Sequence, residues 1–173
     1  KEASMKLLMV RHAIAEDAEV FISAGGTDAQ RPLTDVGRKK MRKGANRLRT
    51  QLKQIDVLAC SPLLRARETA EIVARAYGDL PIVERPELDF GYPPETVLAW
   101  LAQYPPDSTV VTVGHEPQLG LLAGLLLSGV ANSLIVFRKG GVALIGFPGR
   151  ATAGEGVLEW ALTAGQLRSL KQD

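Results

Sequence analysis

The chain has two histidines, and each closes an apolar run of strand character: Lys6-Leu-Leu-Met-Val-Arg11-His12-Ala13 and Thr109-Val-Val-Thr-Val-Gly114-His115-Glu116-Pro117. In open α/β sheets ligands gather beyond the carboxyl ends of the strands, so two such strands side by side would bring His12 and His115 to one rim. Arg11 sets a fixed positive charge directly before His12. A neutral, oriented imidazole beside cations is what nucleophilic transfer of a phosphoryl group requires. Arg65 and His115 are further candidates to surround the same phosphate, and helix starts near Ser61 and Glu116 would add amide donors.

An α/β scaffold has to hold these residues, and the pattern of the chain predicts one. Strand-like runs lie at Leu7 to Val10, Val57 to Cys60, Val110 to Val113, Leu134 to Phe137, Val142 to Phe147 and Val157 to Leu162. The first helix is expected from Thr34 as N-cap with Asp35 in its first turn, burying Met41, Ala45, Leu48 and Leu52. A second is expected from Ser61 as cap with Pro62 at the first helical position. Two more are expected over Pro94 to Tyr104 and from Pro117 to about Leu127. Gly140-Gly141 and Gly146 to Gly149 between apolar runs predict antiparallel strands at one edge of the sheet.

With 173 residues, 46% hydrophobic and 23% charged, the chain reads as a single domain spanning 1–173 with an ordinary globular core. A balance of 21 basic and 19 acidic side chains speaks for neither a nucleic-acid binder nor a membrane-surface protein. Cys60 is the sole cysteine, so no internal disulfide forms and a cytoplasmic location is expected. The run Leu7 to Val10 is too short for a signal peptide, and Met5 is a candidate native start, with Lys1 to Ser4 an added segment. Leu119 to Phe137 carries no charge over 19 residues. Ser128-Gly129 and Asn132-Ser133 interrupt it, so a buried helix, a turn and a strand at Leu134 to Phe137 are preferred to a membrane span.

Four stretches in order resemble the histidine phosphatase superfamily, the phosphoglycerate mutase-like fold. Arg11-His12-Ala13 resembles its Arg-His-Gly signature, and Pro32-Leu33-Thr34-Asp35-Val36-Gly37 its Leu-Thr-x-x-Gly segment. Ser61-Pro62-Leu63-Leu64-Arg65-Ala66-Arg67-Glu68-Thr69 resembles its Ser-x-x-x-Arg-x-x-x-Thr segment, and Val113-Gly114-His115-Glu116 its second histidine block. The resemblance implies a three-layer α/β/α sandwich with a mostly parallel central sheet. It further implies that His12 is transiently phosphorylated, that Arg11, Arg65 and His115 bind the phosphoryl group, and that water then releases inorganic phosphate. No metal or other cofactor is implied, and two histidines with one cysteine fall short of a usual Cys/His zinc site.

Within the superfamily, the short length and Arg31-Pro32-Leu33-Thr34 look like the small bacterial phosphohistidine phosphatases of the SixA type. The expected substrate is then phosphohistidine on a protein, such as a phosphotransfer domain of two-component signalling, with a small phosphate ester or sugar phosphate as the alternative. From another class, a non-catalytic phosphoprotein-binding module stays open, as does the oligomeric state. Glu87 in Pro86-Glu87-Leu88-Asp89-Phe90-Gly91 is the candidate general acid, with a solvated loop carboxylate as its other reading; Asp89 is the second choice and reads more as a loop carboxylate. Arg31 either reaches the phosphate or orients its loop.

The chain also departs from the family pattern. Ala13 replaces the usual Gly, and Ala15 and Asp17 stand where many members place Ser and Asn. An acidic Asp17 would repel phosphate, so the loop Ala13 to Gln30 is expected to turn away or serve a different substrate. Arg67 and Glu68 read as surface residues. Trp100 and Trp160 read as packing residues, and Cys60 as a buried strand residue. The basic face from Arg38 to Arg49 is either solvated or docks an acidic protein.

Overall fold

Alternation along Lys6–Arg11 decides the layering. In the computed structural model, which describes residues 4–172, this strand, β1, sends Leu8 and Val10 into one apolar core and Leu7 and Met9 into another. It lies inside a six-stranded sheet with β2 (Val57–Cys60), β3 (Ile82–Glu84), β4 (Thr109–Gly114), β5 (Val142–Gly146) and β6 (Val157–Leu162). The order is β3-β2-β4-β1-β5-β6. Pairing is parallel from β3 to β1 and antiparallel for β5 and β6, as the glycine-punctuated end of the sequence predicts.

Helices cover both faces, which gives the three-layer α/β/α sandwich. The chain forms α1 (Ala18–Ser23), α2 (Asp35–Leu48), α3 (Leu64–Ala76), α4 (Glu95–Leu101), α5 (Gln118–Ser128) and α6 (Ala164–Arg168). Met41, Ala45 and Leu48 of α2, Ala66, Ala70 and Val73 of α3, and Leu167 of α6 close one core. Val97, Trp100 and Leu101 of α4 and Leu119, Leu122 and Leu126 of α5 close the other. Thr34 caps α2 as expected, its hydroxyl accepting from the Gly37 amide at 2.9 Å. Cys60 is fully buried at the end of β2, and burial pushes its thiol up to about 11.

Several expectations need correction. Residues 134–137 form no strand, because both hydrogen-bonding edges of β5 are already taken by β1 and β6. Phe137 is buried, while Leu134 and Val136 are exposed. Helix α3 starts at Leu64, with Leu63 as its N-cap, and not at Ser61-Pro62: the Ser61 hydroxyl is held in a turn by the Leu63 amide at 3.2 Å. Part of the expected loop 13–30 is α1, where Asp17 serves as N-cap, its carboxylate accepting from the Val20 amide at 3.0 Å. Strand β3 and α1 are too short for periodicity to mark. The uncharged run 119–137 supplies only the helix α5 from its second residue onward and a loop. Among the described residues no helix is long and apolar enough to cross a membrane. The suggested added segment Lys1 to Ser4 lies, except for Ser4, outside the described residues.

Candidate active site

Parallel pairing of β1 with β4 sets Arg11 opposite Gly114, so the residues that follow, His12 and His115, emerge side by side at the carboxyl end of the sheet. Their ring centroids are 5.3 Å apart. The His12 main chain is held at three points: its amide donates to the Gly114 carbonyl at 3.1 Å, its carbonyl accepts from the Gly140 amide at 3.0 Å, and the next amide, Ala13, donates to the Thr69 side-chain hydroxyl at 3.0 Å. Thr69 in turn donates to the carbonyl of Arg65 at 2.7 Å, which couples the strand end to α3.

The His12 ring has a defined tautomer. Its Nδ1 lies 2.7 Å from the Ala13 carbonyl oxygen, which can only accept, so Nδ1 carries the proton and Nε2 keeps its lone pair. Burial first, then the charges of Arg65, Arg11 and Arg31, lower the His12 pKa to about 4 against the opposing pull of the Ala13 hydrogen bond. His115 is lowered to about 3, again by burial first, then by His12 and Arg65. Both rings are therefore neutral at pH 7, and their nitrogens sit among guanidinium groups.

Those guanidinium groups come from different elements. Arg11 donates through Nη1 to the Phe137 carbonyl at 2.8 Å, fixing it against the loop before β5. Arg65, from the first turn of α3, is buried and donates to the Asp28 carbonyl at 2.9 Å and to its carboxylate at 3.2 Å. Arg31 donates to the other Asp28 oxygen at 3.1 Å and to the Glu16 carbonyl at 2.8 Å. Neutral imidazoles beside such cations can accept a phosphoryl group at nitrogen and stabilise its charge.

The family model of the histidine phosphatase superfamily (branch 1) matches residues 7–89. Among solved structures, the protein histidine phosphatase SixA, determined with tungstate, is 27% identical, with a TM-score of 0.77 over 94% of this chain and 99% of that one. The chain belongs to the histidine phosphatase superfamily. An uncharacterized protein of Picosynechococcus sp. is 34% identical to this chain over 144 residues, 80% of this chain and 82% of the relative. Phosphoglycerate mutase from Plasmodium falciparum shares the fold at 18% identity, with a TM-score of 0.62 over 91% of this chain and 90% of that one.

The sequence pointed to His12, Arg11, Arg65, His115 and Arg31 as candidate site residues, and they lie in one cluster. Arg31 does orient its loop, through Asp28 and Glu16, and its charge also acts on His12. Glu87 is placed differently from a proton donor: both carboxylate oxygens take N–H groups of Arg85, and the pairing holds its carboxyl below the usual range despite partial burial. Asp89 accepts from the Phe90 amide at 2.6 Å, as a loop carboxylate does. Glu68, expected at the surface, fastens the 31–38 segment by accepting from the Leu33 amide at 2.9 Å and from Arg38 at 2.9 Å.

Three neighbours of the site were not foreseen. Phe90 stacks on His115 with centroids 4.8 Å apart and lies 6.0 Å from the Arg65 guanidinium carbon, although the ring is partly exposed. The Ser61 hydroxyl, expected to cap a helix, meets His115 Nε2 at 2.8 Å. Asp28 is the third, and its signal in the sequence was the three-residue spacing to Arg31.

Proposed function

We propose that His12 is the nucleophile of a metal-independent phosphatase that removes the phosphoryl group from phosphohistidine on a protein, such as a phosphotransfer domain of two-component signalling. The observation that carries this reading is the His12 tautomer: Nδ1–H is given to the Ala13 carbonyl and the Nε2 lone pair is left for phosphorus. Nε2 attacks, the bond from phosphorus to the substrate nitrogen breaks, and the departing imidazole leaves with its electron pair. The phosphorylated His12 ring is cationic, and the Ala13 carbonyl stabilises the Nδ1–H that bears this charge. Water then attacks phosphorus, the electron pair returns to Nε2, the water's protons pass to phosphate and solvent, and inorganic phosphate departs.

In this reading Arg11, Arg65, Arg31 and His115 bind the phosphoryl oxygens, and residues 1–173 make up a single histidine phosphatase domain. An imidazole leaving group makes little demand on an enzymic acid, and the ion-paired Glu87 accords with that. One observation favours small phosphate esters instead: Glu87 lines the same cavity as His115, with Tyr92 and Gln118.

Phosphate release from a phosphohistidine protein and from a panel of phosphate esters, with chelator present and His12→Ala beside wild type, tests the reading. Release from the phosphoprotein, reduced on the order of 10³-fold or more in His12→Ala, is expected. Release from esters alone transfers the assignment to the small-molecule substrate. Binding without release, unaffected by His12→Ala, overturns the enzyme in favour of a phosphoprotein-binding module.

A further inference from the structure

Arg65 is almost fully enclosed, with 3% of its side chain exposed, and among the described residues its guanidinium hydrogen-bonds to one residue, Asp28. Nη1 donates to the Asp28 carbonyl and Nη2 to Oδ2, while Oδ1 of the same carboxylate takes the Nε–H of Arg31 at 3.1 Å. One residue in the short 3-10 turn Asp28–Gln30 thus bridges two guanidinium groups from separate parts of the chain. Burial and the neighbouring Arg31 both disfavour a charged Arg65, and the Asp28 carboxylate is the larger of two counter-charges that oppose them, Asp89 being the smaller.

We infer that Asp28 is a positioning residue of the phosphoryl site, its carboxylate clamping Arg65 and Arg31 into one preformed pair of cations. The inference rests on the phosphatase reading above. A guanidinium has five N–H donors, and Asp28 takes two from Arg65, so among the described residues three stay uncommitted, the buried Nε–H among them. Arg31 spends two, on Asp28 and Glu16, and likewise keeps three. Asp28 therefore orients both groups without exhausting them. Its main-chain carbonyl also holds Arg65, so one of the two Arg65 hydrogen bonds stays in place even where the carboxylate swings aside. That makes a clamp the better description than a carboxylate standing in for the substrate.

The test is calorimetric binding of inorganic phosphate, with kcat and KM on one substrate, for wild type, Asp28→Asn, Arg65→Lys and the double variant. Asp28→Asn is expected to weaken phosphate binding about 10-fold and to raise KM by a similar factor, with kcat changed less. In the Arg65→Lys background, the same change is expected to cost clearly less, about threefold, because of the two clamped groups only Arg31 is left. Equal losses in both backgrounds, or no loss in either, overturn the inference, and tighter phosphate binding by Asp28→Asn marks the carboxylate as a rival for the phosphate seat. Asp28→Glu and Asp28→Ala are measured alongside, with near-UV circular dichroism to select folded variants. A wild type that neither binds phosphate nor turns over any phosphorylated substrate removes the phosphatase reading and this inference with it.

Discussion

The Ser61 hydroxyl joins the turn before α3 to the second histidine: Oγ accepts from the Leu63 amide at 3.2 Å and meets His115 Nε2 at 2.8 Å, with both side chains buried. The orientation of His115 thus depends on a residue of β2's end, one strand away from its own. With Nε2 engaged, Nδ1 of His115 has no hydrogen-bond partner among the described residues.

Ser61→Ala is expected to release that ring and leave a buried imidazole nitrogen unsatisfied, at a cost of about 1–3 kcal/mol. Urea melts should show this loss. Steady-state kinetics should show kcat/KM reduced by about 10-fold, and an unchanged kcat/KM would mean that Ser61 does not orient His115.

The two lowered histidine pKa values give activity a signed pH dependence. A free histidine takes up its proton near pH 6.5, whereas His12 does so at about 4. If His12 is the nucleophile, its protonation takes no more than about a tenth of kcat/KM between pH 7.5 and about 5. A pH profile with an acid limb centred near 6.5 would contradict that assignment.

Stability should move with pH as well. Between pH 6.5 and about 4 the unfolded chain binds protons that folded His12 and His115 refuse, so the folded state has its full stability above 6.5 and loses it progressively toward 4, with His115 contributing down to about 3. The summed loss is on the order of several kcal/mol. Urea midpoints from pH 7.5 to 4.5 measure it, and a variant with both histidines changed to asparagine should show a flatter dependence over that window.

Glu87→Gln separates the two substrate classes. The pairing with Arg85 holds Glu87 ionised, so phosphohistidine turnover should stay within about 3-fold of wild type. A loss of about 100-fold or more confined to esters would restore Glu87 as their proton donor.

Gly37 offers a test of the scaffold alone. A Cβ at this position would lie 2.2 Å from the Ile14 carbonyl oxygen, which also accepts from the Thr34 amide at 3.0 Å. The clash is with main chain just after His12, so it cannot be relieved by a rotamer change. Gly37→Ala should destabilise the fold by about 1–3 kcal/mol in a denaturant melt.

The sequence by itself determined the layers, the helix cap at Thr34 and the four residues Arg11, His12, Arg65 and His115. Each was legible because its signal is local: alternating apolar residues, a Thr before a periodic run, a charged or titratable residue at the end of a strand or, for Arg65, in the first turn of the helix that follows one. It could not decide what depends on which segments meet. Residues 134–137 had strand composition but found no open sheet edge, and Ser61 had cap chemistry but gave its hydroxyl to the Leu63 amide and His115. Glu87 reads alike as acid or ion-paired loop residue until Arg85 is seen on both of its oxygens. Asp28 stands 37 residues from Arg65 along the chain, and only folding the 16–31 segment onto α3 makes them partners. Hydrogen bonds and ion pairs act over a few ångströms in space, so their strongest effects on this site come from contacts that spacing along the chain does not encode.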